Sequence, residues 1–140
     1  MKHILLLVLI AVQTVVFSQK ETISGTYRLD FEGSNGIYTE TLILYSDGNF
    51  NFHSFKKFDG MHPPESHLYG KGRWELKDNI VRFTANKTDI DSKYTLNFNN
   101  SEARFSTKSP RDKSNREIPT LLTFFKSNIK WLSRRKLEKH

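Results

Sequence analysis

The chain is 140 residues long, carries a formal charge of +7 and has no cysteine. Without thiols, disulfides, thiolate metal sites and lipid attachment to a cysteine are excluded. The basic excess lies in two stretches, Lys108 to Arg116 and Lys126 to Lys139. Such surfaces attract anionic lipids or acidic glycans, and without a recognised motif they do not point to nucleic acid.

Residues 1–18 read as a signal peptide. Met1-Lys2-His3 is a short basic start, Ile4 to Val12 is continuously apolar, and Val16-Phe17-Ser18 suits a signal peptidase. Gln13 and Thr14 interrupt the run before the ~20 residues a spanning helix needs, so no transmembrane anchor is expected after cleavage. The product is expected to be exported, periplasmic or secreted, with residues 19–140 forming a single domain.

Ile23, Gly25, Tyr27, Leu29 and Phe31 alternate with polar residues and predict a first strand with one buried face. Glu32 to Gly36 is a turn cluster. Thr41 to Phe55 then forms a hairpin about Asp47-Gly48, with Leu42 and Leu44 facing Phe50 and Phe52. A bulge near Phe55 and Phe58 would restore the broken alternation. Asp59 to Ser66 contains Pro63-Pro64 and reads as a loop at a barrel mouth.

From His67 the alternation is clear, with Leu68, Gly70, Gly72, Trp74 and Leu76 on one face. Lys77-Asp78-Asn79 turns the chain into Val81, Phe83 and Ala85. Tyr94, Leu96 and Phe98 form the next inward row, followed by Ala103 and Phe105. Lys108 to Pro119 is an exposed loop, and Thr120 to Phe125, apolar on both faces, is a strand covered on both sides or closing a sheet. Residues 128–139 fit either a final strand or a short basic helix, and the β character of the rest favours strand.

The fold class is all-β: an antiparallel up-and-down meander closing into a barrel of about eight strands, with a two-sheet sandwich as the alternative. Gly25-Thr26-Tyr27, the L-x-L-x-x-D-G-x-F pattern from Leu42 to Phe50, and G-x-W at Gly72 to Trp74 resemble small secreted bacterial lipocalin-like proteins of the calycin type. That resemblance implies a compact antiparallel barrel and an exported address.

In a closed barrel Tyr27, Phe50, Phe52, Trp74, Phe83, Tyr94 and Phe98 would line the interior, either filling it or gripping a small apolar ligand as in a carrier or sensor. Gly70 and Gly72 would leave room beside Trp74, or mark sharp coiling of the strand. Asp59, His62, Pro63, Pro64 and Glu65 would form a loop lid. The alternative is an envelope interaction module, its barrel filled and its basic surface, Lys130, Arg134, Arg135, Lys136 and Lys139, holding an anionic partner. His53, His62 and His67 with Asp59 and Glu65 match no known metal spacing, so neither metal nor cofactor is expected. No nucleophile elbow, phosphate loop or H-E-x-x-H motif is present, and no enzymatic activity is expected.

Overall fold

A computed structural model of the chain describes residues 19, 20 and 22–140; the expected signal peptide lies outside the described residues. Eight strands run in chain order: β1 (Gly25–Gly33), β2 (Gly36–Leu44), β3 (Asn49–Phe58), β4 (Glu65–Lys77), β5 (Ile80–Thr84), β6 (Ser101–Ser106), β7 (Leu121–Lys126) and β8 (Lys136–Lys139). Each pairs antiparallel with the next, and β8 returns to β1 through Tyr27 opposite Lys139 and Arg28 opposite Glu138, closing the barrel. Closure removes the free edges that a two-sheet sandwich would leave.

Local chemistry sets the short turns. Asp47 Oδ1 accepts the Asn49 N–H at 2.9 Å, and Gly48 takes a φ of 91°, open to a residue without Cβ. Asp78 and Asn79, at φ 52° and 61°, make the two-residue turn between β4 and β5, where paired positive φ values match strand twist. Alternation then delivers Tyr27, Leu42, Leu44, Phe50, Phe52, Trp74, Val81, Phe83, Ala103, Leu122, Phe124 and Leu137 to one buried cluster.

The segment before β6 departs from expectation. Tyr94 to Phe98 is not a ladder strand. The Asp91 carboxylate accepts the N–H groups of Lys93 and Tyr94, both at 2.8 Å, and Asn97 Oδ1 accepts that of Asn99 at 2.9 Å, side-chain bonds that compete with a ladder. β5 covers only Arg73 to Lys77 of β4, so this segment crosses to the uncovered part of that long strand. It makes one parallel bridge there, Leu96 beside Gly70, with the Leu96 N–H donating to Tyr69 O at 3.0 Å.

Phe98 then enters the barrel. Its ring lies 5.1 Å from Phe50, 5.1 Å from Phe52, 5.9 Å from Phe83 and 6.4 Å from Phe124, centroid to centroid. Gly70 makes this possible, because a Cβ there would stand 2.5 Å from the Phe98 ring. A Cβ at Gly72 would stand 2.2 Å from Thr84 O. The space foreseen beside Trp74 is therefore occupied by a ring at one glycine and by backbone at the other.

Other expectations are corrected at the margins. Phe31 is 55% exposed and does not join the interior, since β8 pairs with β1 at Tyr27 and Arg28 and, among the described residues, no strand pairs with β1 on that side beyond them. β3 keeps unbroken register with both neighbours, so the bulge near Phe55 does not form. Phe55 instead faces outward against His67, and the register shift falls in β6 between Glu102 and Ala103. Phe125 is exposed beside Arg104, so only one face of β7 is covered. Within residues 128–139 the favoured final strand does form, but only as the four residues of β8, after a turn-rich connection.

Side chains from connections join the core at both barrel ends. Ile23, before β1, is buried in the core cluster at one end, and Leu132, from the β7–β8 connection, at the other. Replacing Phe98 by Ala should destabilise the fold by ~3–5 kcal/mol in denaturant titration, the cost of emptying an aromatic site that cannot collapse. Gly70→Ala should also destabilise, because the Phe98 ring cannot retreat among its four aromatic neighbours.

Candidate functional site

The interior residues singled out from sequence are mostly brought together, but as a packed core. Phe50, Phe52, Phe83 and Phe98 form one ring cluster, with Phe50 edge-on to Phe83 at 5.0 Å. The polar handles that could have oriented a guest are spoken for. Tyr27 donates its hydroxyl to Ile23 O at 2.6 Å, and the Trp74 indole N–H donates to Tyr45 O at 2.9 Å. Tyr94 is not inside; it stands on the outer wall of β4, edge-on to Tyr69 at 5.9 Å.

In the loop named as a lid, Asp59, His62, Pro63 and Pro64 are exposed, and Glu65 already belongs to β4. The Asp59 N–H donates to Asn35 O at 2.9 Å, tying the loop to the β1–β2 turn. Glu65 pairs with Lys57 at 3.2 Å and lies 3.8 Å from His67 Nε2. Among the described residues, no group of three or more His, Asp or Glu side chains is arranged to hold a metal ion.

The basic C-terminal set divides in two. Lys130, Arg134 and Lys136 are exposed. Lys139 donates to Thr22 O at 2.7 Å and lies 5.9 Å from the Tyr27 ring, and burial holds its ammonium below the usual lysine range. Arg135 is turned inward against Glu40, with its Nε 3.2 Å from Glu40 Oε1.

Glu40 is the group that sequence reasoning missed. It follows Tyr38 and precedes Leu42 and Leu44 on the inward row of β2, so strict alternation already placed a carboxylate in the core. It is 0% exposed, and Ser54 lies opposite it on β3. Both Glu40 oxygens, Ser54 Oγ, Tyr38 OH and Arg135 Nε are buried without an aligned hydrogen-bond partner. Arg135 and Lys56 lie 5.2 Å from the Tyr38 ring, so the cluster is walled by two cations. Burial pushes the Glu40 carboxyl up to about 7, against the opposing pull of Arg135 and Lys56.

A second cluster lies on the outer wall of β2, β3 and β4. Outward alternation places His53 on β3 and His67 and Tyr69 on β4. His53 stacks on its cross-strand partner Tyr69, with centroids 4.6 Å apart and planes within 6°. His53 Nε2 and His67 Nδ1 share a hydrogen bond of 3.0 Å between nearly parallel rings. Burial holds the His53 imidazole below its ordinary value, as do the charges of His67 and Lys93.

Tyr94 completes this wall because the Asp91 carboxylate fixes the turn that carries it. Two ammonium groups attend the tyrosines: Lys71 lies 4.4 Å from the Tyr94 ring, and Lys93 lies 5.0 Å from Tyr69 and 5.5 Å from Tyr94. Lys71 also lies 3.9 Å from Asp91 Oδ2. The result is an open groove of about 330 Å³ lined by Thr41, Ile43, Asn51, His53, Tyr69 and Tyr94. That size is at the low end of small-molecule sites, which span ~300–1,000 Å³.

The Glu40 environment generates a pH test with a definite sign. Its carboxyl titrates near 4.5 when unfolded and near 7 when folded, so between these values the folded state holds the extra proton. Its contribution therefore favours the fold most at acidic pH and declines as pH rises to about 7, by on the order of 3 kcal/mol. Glu40→Gln should remove this component. The stability difference between variant and wild type, followed by denaturant titration, should grow across that window and level off above it.

Compared with known proteins, the chain matches no family model, no curated protein and no solved structure.

Proposed function

We propose that this chain is an exported, non-enzymatic binding module built on a lipocalin-like barrel with a filled interior, and that it engages an anionic partner through its outer surface. The observation that carries this reading is the outer groove, where Lys71 and Lys93 sit over the tyrosine faces beside an open concavity. Cations held in place by aromatic rings offer charge to an approaching anion at reduced entropic cost. The exposed Lys130, Arg134 and Lys136 add a second area of positive charge, which would speed encounter more than it would fix geometry.

The packing supports an outer site over carriage of a small apolar ligand inside. An interior guest would have to displace Phe98 from four aromatic neighbours, and Tyr27 and Trp74 would have to release their internal acceptors. The export assignment rests on the basic start and apolar run before Gln19.

The test is retention of the mature chain on an anionic matrix across a salt gradient. Wild type should bind at low ionic strength and elute as salt screens the charges. Lys71→Ser with Lys93→Ser should weaken retention at intermediate salt more than Arg134→Ser with Lys136→Ser does. Failure to bind at low salt would overturn the proposal. A stoichiometric apolar molecule found by native mass spectrometry of protein isolated from its own source would return the assignment to the interior.

A further inference from the structure

The groove has two chemistries side by side, and an anion recognised by charge alone would need only one of them. Its walls are aromatic: Tyr69 and Tyr94 meet at 60°, and His53 lies flat against Tyr69. Its rim is polar: Thr41 and Asn51 line it, and the ammonium groups of Lys71, the cross-strand partner of Asn51, and of Lys93 lie beside the tyrosine rings. Stacking on a ring face suits a flat or saucer-shaped group with C–H bonds on one side, while hydroxyl, amide and ammonium groups suit a partner with many hydroxyls and a negative charge.

Simple polyanions fit this surface poorly. A phosphate or sulfate chain has no apolar face for Tyr94, and an anionic lipid headgroup would be followed by acyl chains, for which the lining offers Ile43 as its aliphatic side chain. A pyranose ring with a carboxylate satisfies every feature. Its C–H face takes the place of the Lys71 ammonium on the Tyr94 ring, the released ammonium meets its carboxylate, and its hydroxyls meet Thr41 and Asn51.

Resting on the reading of an anionic outer partner, we propose that the groove binds acidic sugar residues of the uronic-acid type, with Tyr94 as the stacking platform and Lys93 and Lys71 as carboxylate ligands. Asp91 is then a positioning residue. Its carboxylate holds the Lys93 and Tyr94 N–H groups at 2.8 Å and lies 3.9 Å from Lys71, so it presents the platform and keeps one ammonium within reach of the other. The groove volume of about 330 Å³ limits the direct contact to a short stretch of a chain.

The experiment compares four probes at matched charge concentration on the mature chain: a polyuronate oligosaccharide, the same sugar with its carboxyls reduced to alcohols, inorganic polyphosphate, and phosphatidylglycerol vesicles. Binding is read by calorimetry and by tyrosine ring shifts in NMR. The oligouronate should bind at least tenfold more tightly than polyphosphate or vesicles and perturb Tyr69 and Tyr94, and the reduced sugar should lose most of that affinity. Tyr94→Ala should cost at least tenfold for oligouronate and leave polyphosphate binding within twofold; Tyr94→Phe should restore it. Lys93→Ser should cost several-fold for the acid and little for the reduced sugar.

Equal binding of all three anions, or oligouronate binding unmoved by Tyr94→Ala, would overturn the sugar assignment while leaving an anionic partner in place. Binding of none of them would overturn both. Because Tyr94 lies on the outer wall, its substitution should leave thermal unfolding near wild type, and that measurement keeps the result interpretable.

Discussion

The interior volume of a small barrel is the constraint from which the rest follows. Eight strands enclose a space that side chains can just fill, and here the last piece comes from a connection and not from a strand. Phe98 reaches in from the segment before β6 and touches Phe50, Phe52, Phe83 and Phe124. Gly70 is its counterpart: the missing side chain on β4 is the volume the ring occupies. The two positions act as one unit, as close packing requires of a core this small. Because that interior is occupied, chemistry that would engage a partner is left to the wall and the rim.

The same connection builds the outer groove. To bring Phe98 inward, the chain must cross the upper part of β4, and in crossing it lays Tyr94 and Lys93 against Tyr69. One covalent path thus fills the barrel and furnishes its surface. The local bonds of Asp91 and Asn97 break the strand pattern and so let a single segment face both ways. This is why a residue read as inward from alternation, Tyr94, stands outside, while Phe98, four residues later, is fully buried.

Charge is also sorted by packing. The basic C-terminal run looks uniform in sequence, yet Arg135 turns toward the buried Glu40 and Lys139 toward Thr22 O, while Lys130, Arg134 and Lys136 remain in solvent. A carboxylate wholly removed from water needs a counter-charge, and Arg135, with its guanidinium side chain 35% exposed, supplies it from the barrel end without being fully desolvated itself. Part of the excess positive charge is therefore structural.

The sequence by itself determined the period-two alternation, the Asp47-Gly48 and Asp78-Asn79 turns, and hence an all-β meander of about eight strands, because these depend on side-chain direction and local φ preferences over a few residues. It also carried the outward positions of His53 and His67 and, unread, the inward position of Glu40. Only the tertiary structure decided whether the inward row left room for a guest, since that depends on Phe98 meeting Gly70 across the fold. It likewise decided that Tyr69 and Tyr94 share one groove with Lys71 and Lys93 beside their rings, and that Arg135 is paired while Arg134 is exposed. Alternation and turn chemistry assign a residue to a face and set the pairing of neighbouring strands, but contacts across the barrel depend on the path of the longer connections, which no local pattern encodes.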